Sequence, residues 1–134
     1  MDEATIIVVK RWLIRARQDL RSAQNDLNDD PPIPETACFH AQQCAEKALE
    51  AYLISKNQQV ERSHYLPRLL KLCRAIDSKF EEFLETAEYL TEYAVTARYP
   101  DDWRDIPVSE AILALEKAEL FYNFVMSRID NLKI

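Results

Sequence analysis

The chain has 134 residues, about one domain's worth, and not one of them is glycine, where average usage of about 7% supplies roughly nine. Glycine serves left-handed backbone and the close approach of backbone to phosphate, so its absence excludes P-loops, GxGxxG dinucleotide folds and nucleophile elbows, and it weighs against hairpin-rich β folds. Apolar residues make up 48% and charged residues 30%, with a net charge of −6; such a chain builds a core, and strong nucleic-acid binding through a global basic field is not expected.

The N-terminus Met1-Asp2-Glu3-Ala4 carries acids where a signal peptide needs bases, and the apolar run Ile6 to Val9 is too short for an h-region or a span. A soluble, cytoplasmic protein without membrane contact is the expectation. From Leu13, the positions Leu13, Ala16, Leu20, Ala23 and Leu27 recur at three- and four-residue steps, which predicts a long first helix ending near Asn28. Pro31, Pro32 and Pro34 then force a linker. Residues 35–56 read as a second helix with a stripe of mostly small side chains, Ala37, Ala41, Cys44, Ala48 and Tyr52. Asn57 stands where glycine normally ends a helix, and asparagine is the next-best occupant of that left-handed position.

A shorter third helix is predicted over 64–75, with Leu66, Leu69, Leu70 and Cys73 inward. A fourth, from Asp77 to Ala97, places Phe80, Phe83, Leu84, Ala87, Leu90 and Ala94 on one face and Glu81, Glu85, Glu88 and Glu92 on another. The stretch Tyr99 to Pro107 breaks the pattern. Val108, Ala111, Leu115, Ala118, Tyr122, Val125, Ile129 and Leu132 then repeat at heptad-like spacing to the end. No stretch alternates with a period of two. The fold class is all-α, one domain over 1–134, an up-and-down bundle of four main helices plus one short one.

Chemistry has few places to sit. There are two histidines and three cysteines, Cys38, Cys44 and Cys73, without CxxC spacing. A metal at Cys38, His40 and Cys44 is not expected, because Cys38 and Cys44 are about 240° apart around a helix; no cofactor is expected either. On the second helix His40, Gln43 and Lys47 project from one side next to the row Gln42, Glu46 and Glu50. This reads either as a wet helix face or as a rigid polar cluster able to bind phosphate or a nucleobase. At the end of the fourth helix Tyr89, Tyr93, Arg98, Tyr99 and Trp103 bring arginine beside aromatics, which suits a phosphate or base ligand; the alternative is a cap over the core. Residues 10–21 hold five basic side chains against Asp19, and residues 79–92 five glutamates against Lys79. Both read as solvated faces, turned to each other within the fold or across a dimer, with electrostatic self-association as the sharper alternative.

Trp12, Leu13, Ala16, Asp19, Leu20 and Ala23, then Phe39-His40-Ala41-Gln42-Gln43-Cys44-Ala45-Glu46-Lys47-Ala48-Leu49, then His64 before Tyr65-Leu66, then Ala97-Arg98-Tyr99-Pro100, stand in an order that resembles the HEPN domain family. The resemblance covers nearly the whole chain. It implies a bundle of about five helices, usually homodimeric, of prokaryotic cytoplasmic origin, and nucleotide or RNA chemistry. Small stand-alone members are typically partnered with a minimal nucleotidyltransferase, often as a toxin–antitoxin pair. Many relatives are ribonucleases with an arginine and a following histidine separated by four to six residues. Here Trp103, Arg104 and Asp105 stand where that histidine belongs, and no histidine follows His64. The resemblance therefore implies a non-catalytic domain that binds a nucleotide, a nucleotidyltransferase partner, or both. The candidate ligand residues are Gln43, Lys47, Arg98 and Tyr99, with His40, Glu46 and Trp103 supporting. The alternatives are a divergent ribonuclease using Arg98 with His40 or His64 supplied across a dimer, and a purely structural dimerisation module. Any bound phosphate must be held by side chains or helix N-termini, since no glycine loop exists to cradle it.

Overall fold

Three proline-bearing junctions and one asparagine punctuate the chain in place of glycines. The structure, a computed structural model, describes residues 1–60, 62–94, 104–130 and 132. Five α-helices account for most of them: α1 (Glu3–Asn28), α2 (Pro34–Ser55), α3 (Leu66–Ile76), α4 (Leu84–Thr91) and α5 (Val108–Arg128). Among the described residues there is no strand, and no helix is long and apolar enough to cross a membrane.

Each helix end has a local cause. Asp2 caps α1 by accepting the Thr5 N–H at 2.7 Å. Pro34 and Pro67 sit in the first turns of α2 and α3, where the missing N–H costs nothing. The α1–α2 linker is pinned by the Thr36 hydroxyl, which donates to Asp26 Oδ2 at 2.8 Å. At the end of α2, Asn57 has φ of 58° and is the one positive-φ residue among those described. Its N–H donates to the Ile54 carbonyl at 3.0 Å and that of Gln58 to Leu53 at 3.0 Å, the double bond of a Schellman motif built without glycine. Asn57→Ala is expected to cost about 1 kcal/mol, whereas Asn57→Gly keeps or raises stability. Thermal unfolding of the two variants checks this, and an alanine variant as stable as wild type contradicts it.

α2 is the central helix. It packs against α1, α3, α4 and α5, while α1 packs chiefly on α2 and α5. The predicted α2 stripe is buried throughout, and so are Cys38, Gln42, Ala45, Glu46, Leu49, Glu50 and Leu53. The reading of Gln42, Glu46 and Glu50 as a wet face is thus corrected: a helix surrounded on several sides has little solvent face to offer, and its polar side chains must find partners inside.

Three boundaries differ from expectation. α3 starts at Leu66, after Tyr65 in extended conformation, rather than at His64. The predicted fourth helix is interrupted: a 3-10 segment (Ser78–Phe83) precedes α4, and a second (Glu92–Ala94) follows it; residues 95–97 lie outside the described residues. The 3-10 period stacks residues three apart, and Phe80 and Phe83 use it to enter one aromatic cluster. Phe80 lies 4.5 Å from Tyr52 and 5.0 Å from Phe124, and Phe83 lies 4.6 Å from Phe124, between ring centroids. α5 ends at Arg128 instead of running to the terminus. Its stripe holds at Ala111, Ala118, Tyr122, Val125 and Ile129, but Val108 is exposed, and Ala114 and Phe121 are buried beside it.

Within the chain the basic and acidic stretches form no ion pair with each other among the described residues. Glu81, Glu82 and Glu92 pair with Arg74, Lys79 and Arg104 respectively, whereas Arg11, Arg15, Arg17 and Arg21 of α1 are exposed. The three cysteines are free and buried, and burial pushes the Cys38 thiol up to about 12.

Candidate functional site

The polar side chains of α2 are held from two directions. On one side Asp19 of α1, nearly buried, receives both Lys47 Nζ at 2.5 Å and His40 Nδ1 at 3.0 Å. An ionised carboxylate only accepts, so His40 donates from Nδ1 and its Nε2 is left as the outward nitrogen. On the other side Glu46 Oε1 receives His64 Nδ1 at 2.8 Å and the Gln42 amide at 3.2 Å. Gln43 in turn donates to Gln42 Oε1 at 2.7 Å. The segment 62–65 is not helical, yet it is fixed: the His64 carbonyl accepts from Gln42 Nε2 at 3.3 Å and from the Thr91 hydroxyl at 3.2 Å. Thr91 Oγ1 also accepts the Leu66 N–H at 3.1 Å, tying this corner to α4.

The result is a wall of two carboxylate–histidine pairs and one lysine, continuous along α2. Each histidine has one nitrogen oriented by a buried acid, the arrangement that sets tautomer and ring orientation where imidazoles exchange protons. Glu50, one turn beyond Glu46 and 3% exposed, completes the row. Burial, followed by the charge of Glu46, pushes its carboxyl up to about 7, against the pull of Arg62 and Lys47. Among the described residues no cluster of three or more His, Cys, Asp and Glu side chains could hold a metal ion.

Of the predicted site residues, the structure brings His40 and Lys47 together on Asp19, and joins Gln43 to Glu46 through Gln42. Arg98, Tyr99 and Trp103 lie outside the described residues. Tyr89 and Tyr93, read as neighbours of a ligand or as part of a cap over the core, pack against the core. Tyr93 is buried and donates to Glu110 Oε2 at 2.6 Å, and Tyr89 donates to the Glu110 carbonyl at 3.3 Å. Arg104 grips the same carboxylate with both terminal nitrogens, which holds Glu110 below its ordinary range.

Sequence reasoning missed Asp19 as part of the cluster, and it named Glu50 in the row with Gln42 and Glu46 without the burial that the structure gives it. Asp19 had a signal: an acid one position before Leu20, at the edge of the apolar stripe, inside an otherwise basic run.

Residues 9–129 match the HEPN domain family. The chain belongs to the HEPN domain family. Among solved structures, TT1696 from Thermus thermophilus is 34% identical, with a TM-score of 0.77 over 90% of this chain and 97% of that one. ST0689, an archaeal HEPN homologue, is 26% identical, with a TM-score of 0.73 over 91% and 98%. No curated protein matches the chain. The HEPN bundle here supplies a rigid central helix, and among the described residues the polar wall is its one sustained departure from apolar burial.

Proposed function

We propose that this HEPN domain binds a nucleotide at the polar wall of α2 and acts with a nucleotidyltransferase partner, as one member of a toxin–antitoxin pair and as a homodimer. Lys47 and Gln43 are the contacting residues, His40 and Glu46 support them, and Arg98, Tyr99 and Trp103 supply guanidinium and ring contacts. The observation that carries the reading is the sharing of Asp19 by His40 and Lys47. Two half-exposed polar groups are pre-oriented by a buried acid, so a ligand meets them without ordering long side chains. Calorimetric titration with ATP and other nucleotides tests it. Micromolar to millimolar binding that Lys47→Ala and Arg98→Ala each weaken supports the reading; no binding, or equal binding to both variants, overturns it. Co-elution with a minimal nucleotidyltransferase tests the partner.

The carboxylate–histidine pairs favour one second reading, a divergent ribonuclease in which Nε2 of His40 or His64 exchanges the proton and Arg98 meets the phosphate. RNA cleavage that disappears in His40→Ala or His64→Ala supports it, and cleavage surviving both substitutions removes it.

A further inference from the structure

On the side of α1 opposite Asp19, a cleft of about 600 Å³ opens between α1 and α5. Arg17 and Arg21 stand one turn apart along it, with the amides of Gln18, Gln24 and Asn123 around them and Tyr122 forming part of the floor. Neither arginine is paired with a carboxylate among the described residues. Glu119 is the one acid in the lining, so two arginines against one glutamate leave the cleft at +1. Lys10, seven residues before Arg17 and so on the same side of the helix, extends the positive face, and the acid in that run, Asp19, lies on the opposite side and is paired with Lys47. In a chain of net charge −6 this is a concentrated exception.

We propose that the α1–α5 cleft is an anion site for a ligand carrying phosphate groups, with Arg17 and Arg21 as the contacting residues. A guanidinium fork engages two phosphate oxygens at once. Two forks a turn apart, ringed by amide donors, match a ligand with several acceptor oxygens on neighbouring centres, which one carboxylate does not offer. The volume falls in the range of small-ligand clefts. The cleft differs in kind from the α2 wall: there Lys47 is held on Asp19 beside Glu46 and Glu50, whereas here two guanidinium groups have no carboxylate partner among the described residues. The two sites stand or fall separately.

Two probes distinguish the sources of phosphate: inorganic pyrophosphate for a compact diphosphate, and a short oligouridylate for a phosphodiester chain. Wild type is expected to bind at least one of them at low salt, and Arg17→Gln/Arg21→Gln to weaken that binding about tenfold or more. For the oligouridylate, the slope of log K against log salt falls by about 1.4 in the double variant, about 0.7 for each lost contact. Lys79→Ala, which removes one exposed charge remote from both sites, leaves this binding unchanged. Both arginines are exposed, so the double variant keeps its helical circular dichroism. Failure of both probes to bind wild type overturns the proposal, as does equal binding by the double variant; loss in Lys47→Ala alone assigns the phosphate to α2 and overturns it too.

Discussion

Asp19→Ala is expected to lower stability by about 3 kcal/mol, a drop of about 10 °C in Tm for a chain of this size. The side chain of Asp19 is 11% exposed and that of Lys47 26%, so the substitution strands a half-buried ammonium and takes the Nδ1 partner from His40. The cost comes from the orphaned lysine rather than from the lost attraction, because removing one partner of a buried pair leaves the other's desolvation uncompensated. Replacing both partners separates these terms. Asp19→Ala/Lys47→Met is expected to recover most of the loss, since the methionine keeps the stem and drops the charge. Urea or thermal unfolding of wild type, single and double variants measures it, and a double variant no more stable than the single one refutes the account. The same pair carries a functional corollary: Asp19→Ala frees Lys47 to move and weakens nucleotide binding at α2 even where the fold survives.

The helices were legible because an amphipathic stripe has one period and each stripe here faces one core. The Schellman end at Asn57 was legible for a related reason: with no glycine available, one residue type remained that tolerates the left-handed position. The interrupted fourth helix was not, because Phe80 and Phe83, three apart, fit an α-helix and a 3-10 helix equally well, and the choice is made by Tyr52 and Phe124 across the core. The polar wall was half legible. His40, Gln43 and Lys47 share a face by spacing, but what converts that face from wet to built is Asp19, 28 residues before Lys47, and His64, 18 residues after Glu46. Helical periodicity links residues within a turn or two and carries no information about such partners.

The consequence for function is a division of labour by charge. Burial turned Asp19 of α1 and Glu46 of α2 inward to hold two imidazoles and a lysine, which suits recognition of polar groups and proton exchange. The unpaired arginines remained on the far side of α1, where no acid of that helix reaches them.

Glu50→Gln is expected to stabilise the protein at pH 8 by about 2–3 kcal/mol and to do almost nothing near pH 4.5. The ordinary carboxyl value is 4.5, and burial with the neighbouring Glu46 raises that of Glu50 to about 7 in the folded state. Between these values the folded protein binds the proton that the unfolded chain has released. Stability contributed by protonated Glu50 is therefore fully present below about pH 4.5 and is lost as pH rises through 7, where a buried carboxylate faces Glu46 with only partial relief from Arg62 and Lys47. Glutamine keeps the shape and cannot ionise, so the gain over wild type must grow with pH across this window. Asp77 and Glu110, held low by Arg128 and Arg104, work in the opposite direction in acid, and the difference between variant and wild type cancels them. Thermal unfolding of both proteins at half-unit steps of pH tests it: a gain that is flat with pH, or a glutamine variant no more stable than wild type at pH 8, contradicts a buried, destabilised carboxylate at this position. A residue that costs stability at neutral pH is what a site built for recognition tolerates, and the proposed role of the α2 wall predicts one here, since core packing alone favours glutamine or leucine.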